Sequence, residues 1–245
     1  DMILLEVFVT LHKKYKPDYS HLFFNGGAHI QHHFLFNSSQ YNGKLTNPNW
    51  YCDKDWDPLL LILETYDVII GDLLTSGEQI IGITGLSQVP HEKRTFYWRP
   101  IDHAAFLENC GLQHDYSVIP RISRDFLLKF DNDVDAYNAE NHLIEFRDSI
   151  RNTPVFKVDN RGTSLFVEII YDDSIDDSLS FIGPNSINVR NLTDKLTFVA
   201  IKNGKHDSTG FMFSNKKLEL HDDIKLSEVF DFIKSKVLSE LVVKK

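Results

Sequence analysis

Three of the chain's eleven histidines fall within five residues, in the segment Asn25-Gly-Gly-Ala-His29-Ile-Gln-His32-His33. Neutral imidazole is a common ligand for zinc and related metals. On a helix, His29, His32 and His33 would share one face at spacings i, i+3 and i+4. A second polar segment, Thr84-Gly85-Leu86-Ser87-Gln88 followed by Pro90 and His91, comes after the apolar run Ile80 to Ile83. A third, Asn203-Gly204-Lys205-His206-Asp207-Ser208-Thr209-Gly210, separates two apolar stretches and carries a glycine-flanked histidine. Taken alone, each is also compatible with an ordinary turn. His29, His32 and His33 are candidate ligands for a divalent metal, zinc first; the segment with His91 could face the same cleft, and His206 is again well placed for a ligand. Arg121 and Arg124 could hold a phosphate or carboxylate with paired N–H groups, with a surface helix start as the plainer reading. Thr84 and Ser87 are further candidates for contacting a substrate. No glycine-rich phosphate loop, dinucleotide fingerprint, GxSxG or CxxC pattern occurs, so no nucleotide cofactor is expected.

The elements that would hold these segments read as an α/β layered fold. Residues from Met2 to Leu11 repeat at helical spacing and Pro17 ends them. His21 to Phe24 reads as a short strand. Asp57-Pro58 opens the clearest helix, with Asp57 as cap and Pro58 at its first position. Gln79 to Thr84 reads as a buried strand. Helix, strand, helix, strand in that order predicts a mainly parallel sheet flanked by helices, whose sites lie beyond the carboxyl ends of the strands. Residues 90–150 read as an inserted or cap region, with helices at 104–110, 123–130 and 136–150. Strands follow within 154–171, 196–201 and 210–213, and a helix over 226–243 closes the chain. The expectation is a single α/β domain over residues 1–245.

Composition sets the outer limits. The chain has 245 residues, 42% hydrophobic and 25% charged, which is ordinary for a globular protein and excludes a disordered chain or a coiled coil. Its net charge of −9 argues against nucleic acid and anionic membrane as bulk partners, without excluding a local anion pocket. Two cysteines, Cys52 and Cys110, make neither a disulfide scaffold nor a cysteine zinc cage. With no secretory pattern at the start, a cytoplasmic setting is expected. The opening Asp1-Met2-Ile3-Leu4-Leu5 runs directly into an apolar stretch, as the interior of a longer chain would.

The three polar segments, in this order, resemble the carboxyl-terminal half of the alkaline phosphatase superfamily, closest to its type I phosphodiesterase or nucleotide pyrophosphatase branch. Asn25-Gly-Gly-Ala-His29 stands where that branch has Asp-x-x-x-His. Gly204-Lys-His206-Asp-Ser-Thr-Gly210 resembles its late Gly-x-His-x-x-x-Gly loop, and the helix from Asp57 to Leu74 resembles the connecting helix. The resemblance covers about residues 15–90 and 195–240. It implies an alkaline-phosphatase-like fold and a metal-dependent hydrolase or transferase of small-molecule phosphate or sulfate esters. It also implies His29 and His206 as ligands, and Asn25, His32, His33 or His91 completing or orienting the shell. The departures fall on ligand positions: Asn25 replaces an acid, and Thr84-Gly85-Leu86-Ser87 replaces Ser-Asp-His-Gly. The branch's nucleophile lies in an amino-terminal half without a counterpart here, so a missing half of the same protein is an implied partner. A non-catalytic member acting in binding or assembly, and an unrelated α/β protein with histidine-rich loops, stay open beside it.

Overall fold

Asp57 begins its helix as the Asp-Pro pattern predicts. Its carboxylate accepts from the backbone N–H of Leu60 (2.9 Å) and, on the other oxygen, from the N–H and hydroxyl of Ser39 (2.8 and 2.9 Å). The computed structural model describes residues 1–112, 115–218 and 223–243, with side chains through 239. The amino-terminal stretch forms helices α1 (Met2–Tyr15), α2 (Gly26–Phe34) and α3 (Pro58–Leu74), a 3-10 turn at Leu35–Asn37, and strands β1 (Ile81–Thr84) and β2 (Ser87–Pro100). Then come α4 (His103–Asn109), β3 (Tyr116–Pro120), β4 (Asp125–Phe130), α5 (Asp133–Ile144), β5 (Arg147–Asp148), β6 (Phe156–Asn160) and β7 (Ser164–Ile169). Strands β8 (Phe181–Ile182), β9 (Asn188–Val189), β10 (Leu196–Asp207) and β11 (Phe211–Ser214) precede α6 (Val229–Val243).

The chain divides into two compact units, residues 1–91 with 203–245, and residues 92–202. In the first, α2 packs on α3 and β1 pairs with β11 in antiparallel register, Ile81 opposite Ser214 and Thr84 opposite Phe211. Gly27 permits a close approach in the α2–α3 contact: its N–H donates to the Tyr66 hydroxyl at 2.7 Å, and an added Cβ would lie 2.8 Å from the Tyr66 ring. The second unit holds the four-stranded antiparallel sheet β3-β4-β7-β6 and the small sheet β5-β8-β9. Leu165, Val167 and Ile169 alternate inward along β7, all fully buried, and α5 covers them with Ala136, Ala139 and Leu143. Phe106, Phe126, Phe130, Phe146, Phe156 and Phe181 add to this core.

The parallel, alkaline-phosphatase-like sheet expected from the order of elements is overturned. The described strands form small antiparallel sheets of four, three, two and two strands. Parallel neighbours need a crossover of a dozen or more residues, whereas short turns make hairpins. Here residues 121–124 join β3 to β4 and 161–163 join β6 to β7, and both pairs are antiparallel neighbours. Two local readings produced the error. His21 to Phe24 is irregular backbone, so no strand–helix–strand unit precedes β1. Residues 125–130, read as helical, form β4. Among the described residues no helix is long and apolar enough to cross a membrane.

Asp148 organises the turn after β5. It is 1% exposed, and its carboxylate accepts from the backbone N–H groups of Ile150 (3.0 Å), Arg151 (2.6 Å) and Thr153 (2.8 Å) and from the Thr153 hydroxyl. Burial pushes its carboxyl up, but the Thr153 hydroxyl and these N–H groups outweigh that and hold it below the usual carboxylate value. The unfolded chain therefore takes up this proton first on acidification. The contribution is complete above about pH 4 and fades as pH falls through the folded value. Asp148→Asn is expected to cost about 3 kcal/mol at neutral pH, because N–H donors lose a charged acceptor. The gap between parent and variant should close below about pH 4, measured by denaturant unfolding across pH.

Candidate functional site

The histidine segment is helical in the structure. His29, His32 and His33 lie on α2, and the glycine pair before them forms its first turn. The helix is held at both ends. At its start, the Asp1 carboxylate accepts from the N–H of Gly26 (3.2 Å) and from the Tyr66 hydroxyl (2.9 Å). Just past its end, the N–H of Phe36 donates to the side-chain oxygen of Asn203 (2.9 Å). Asn203 is fully buried and exchanges two amide hydrogen bonds with Asn47, at 2.8 and 3.0 Å. Between these anchors, the Gln88 amide nitrogen donates to the carbonyl of Ala28 at 2.9 Å.

Gly204 and His206 share one face of β10 by strand periodicity. The segment read as a loop is therefore the end of a strand. Gly204 lets α2 come close: a Cβ there would stand 2.8 Å from the carbonyl oxygen of Gln31 and 2.6 Å from Oε1 of Gln88. Oε1 of Gln88 is buried and has no hydrogen-bond partner among the described residues. Two residues on, His206 reaches α2. Its Nε2 lies 2.9 Å from Nε2 of His32, and Nδ1 of His32 lies 3.1 Å from the carbonyl oxygen of Gly204. His29 meets His33 instead, edge to face at 4.7 Å between ring centroids, and the His32 and His33 rings are 6.3 Å apart.

The other candidates have different surroundings. Asn25 precedes α2 and makes no side-chain cap, about 10 Å along the helix from His32 at 1.5 Å per residue. Thr84 ends β1, and its hydroxyl accepts from the N–H of Phe211 at 2.8 Å. Ser87 opens β2, and His91 lies further along it, half-buried. Arg121 and Arg124 belong to the unit of residues 92–202. Arg124 pairs with Glu168 at 3.0 Å and lies 4.4 Å over the Tyr97 ring, so its guanidinium is engaged within that unit. Arg121 is exposed in the β3–β4 turn and lines a shallow hollow with Pro120, Ile122, Ser123 and Asp125.

Among the described residues no group of three or more His, Cys, Asp or Glu side chains is disposed to hold a metal. What converges is a pair of imidazole nitrogens, a donor set suited to zinc, copper, nickel or iron rather than magnesium or calcium. Asn47 was not among the sequence candidates; Gln88 and Asn203 entered only as members of the second and third polar segments, and Gly204 as part of the third segment and of the late-loop resemblance. Their role is to seat α2 against β10, and a lone amide carries no motif. No family model, no curated protein and no solved structure matches the chain.

The close approach at Gly204 makes a direct test. Gly204→Ala should force α2 away from β10, cost about 1–3 kcal/mol through overpacking, and break the His32–His206 hydrogen bond. Imidazole nitrogen NMR shifts report that bond, and an unchanged pair in the variant would refute the packing argument.

Proposed function

We propose that the α2–β10 face is a divalent-metal site, zinc first, and that the chain is a metal-dependent hydrolase or transferase of small-molecule phosphate or sulfate esters. The observation that carries the metal reading is the approach of His32 and His206 to 2.9 Å between Nε2 atoms, with the Gly204 carbonyl behind His32. A backbone carbonyl on the outer ring nitrogen is the usual support of a ligating histidine. The ester class rests on the loop resemblance alone, since the small antiparallel sheets do not carry the parallel fold that the resemblance implied. A metal there supplies Lewis-acid polarisation of an ester oxygen and an activated water. The chain's own part is to hold the two rings convergent through the Asn203, Gln88 and Gly204 contacts. Cys52 and Cys110, both buried free thiols, suit the reducing, cytoplasmic setting we propose.

A non-catalytic chain used in binding or assembly is the competing reading. It draws on the aliphatic residues that α1 and α3 leave exposed, including Ile3, Val7, Leu11, Leu60, Leu61 and Val68.

The test is turnover of bis(p-nitrophenyl) phosphate and p-nitrophenyl sulfate with added zinc or manganese, against the same protein in chelator. Metal-dependent turnover that His206→Ala abolishes is the expected result. No turnover above buffer with either metal would overturn the hydrolase reading and favour the competing one.

A further inference from the structure

We infer that His32 and His206, rather than His29 and His206, form the histidine pair that ligates that metal, and that the carbonyl of Gly204 selects the ligating nitrogen of His32. This assignment rests on the metal-site reading above and makes it specific.

The proton arrangement follows from the partners. A carbonyl oxygen only accepts, so Nδ1 of His32, 3.1 Å from the Gly204 oxygen, carries the hydrogen. Nε2 of neutral His32 is then a bare lone pair. The 2.9 Å contact between the two Nε2 atoms must hold one proton, so in the neutral pair His206 supplies it from Nε2. One ring is thus already in its ligating tautomer with its lone pair aimed at the other. Metal takes the place of that shared proton. The proton leaves Nε2 of His206 and a proton is taken up at Nδ1 of the same ring, so His206 stays neutral and its Nε2 lone pair is freed. Tetrahedral zinc with bonds of about 2.0–2.1 Å separates two ligand nitrogens by roughly 3.3 Å. The rings need open by only about 0.4 Å, and His206 is exposed near the end of β10, where such a shift meets little packing.

His29 lacks this arrangement. Its ring packs on His33, and the ring that faces His206 is His32 (4.7 Å between centroids). His32 and His206 supply two of the coordination positions; a reactive zinc site keeps one position open for water or a ligand's oxygen, whereas a structural zinc is closed by four protein ligands.

The experiment uses the whole chain and zinc ion alone. Isothermal titration of the parent with zinc chloride is compared with His32→Ala, His206→Ala and His29→Ala, each checked for folding by circular dichroism. Long-range proton–nitrogen NMR of the parent reads the tautomers with and without zinc, and needs no variant to fold. The expected result is one bound zinc per chain, weakened about tenfold or more by His32→Ala and by His206→Ala but not by His29→Ala. In the parent, the His32 hydrogen stays on Nδ1 and the His206 hydrogen moves from Nε2 to Nδ1 on binding. Zinc binding that His29→Ala weakens and His32→Ala spares, or an unmoved His206 proton, would overturn the assignment and leave the metal site standing. A parent that binds no zinc would overturn the metal site itself.

Discussion

The candidate site depends on one buried amide. Asn203 is fully buried, and its oxygen accepts from both the N–H of Phe36 and the amide of Asn47, while its nitrogen donates back to Asn47. A buried amide without partners costs about 1–3 kcal/mol for each group left unsatisfied. The pair is therefore stable only when the chain beyond α2, the Asn47 loop and β10 all meet. That condition places Gly204, the next residue, under the backbone of α2, and His206 within reach of His32.

This polar closure contrasts with the other unit. Residues 92–202 surround a continuous apolar core with six buried phenylalanines and the inward face of β7. In residues 1–91 and 203–245 the fully apolar positions are sparse, Leu5, Phe36, Cys52, Leu59 and Ile69 among them. Directional contacts carry more of the specification there. A hydrogen-bonded network tolerates fewer alternative packings than an apolar surface does, because each unpaired member is penalised. That suits a region whose chemistry requires two rings to meet within a hydrogen bond's length.

Much of this was legible in the residues and some was not. Asp57-Pro58 announced α3 because its cap is local chemistry, and Leu165, Val167 and Ile169 announced β7 because strand alternation is local too. Phe126-Leu127-Leu128 did not announce β4. A short continuous apolar run has no period, and only pairing with β3 and β7 makes it a strand. The same ambiguity turned His21 to Phe24 into an expected strand that finds no ladder partner, and with it went the parallel sheet. The polar run from Asn203 to Asp207 looked like a loop because Asn-Gly is a turn signal. Its extended conformation comes from β2, with which β10 pairs. The histidines on α2 were visible from spacing, whereas the ring that meets His206 depends on how α2 sits.

That seating reduces to the register of one helix against one strand. His29 and His32 are three residues apart, so they differ by about 4.5 Å along the axis and about 60° around it. A sliding helix could offer either ring to His206. Three contacts remove that freedom at different points: Gly27 against Tyr66, the Ala28 carbonyl on Gln88, and Gln31 over the bare Cα of Gly204. A slip of one residue would break the first two hydrogen bonds and drive a bulkier turn onto the glycine. The identity of the paired histidine is thus set by residues that carry no chemistry of their own.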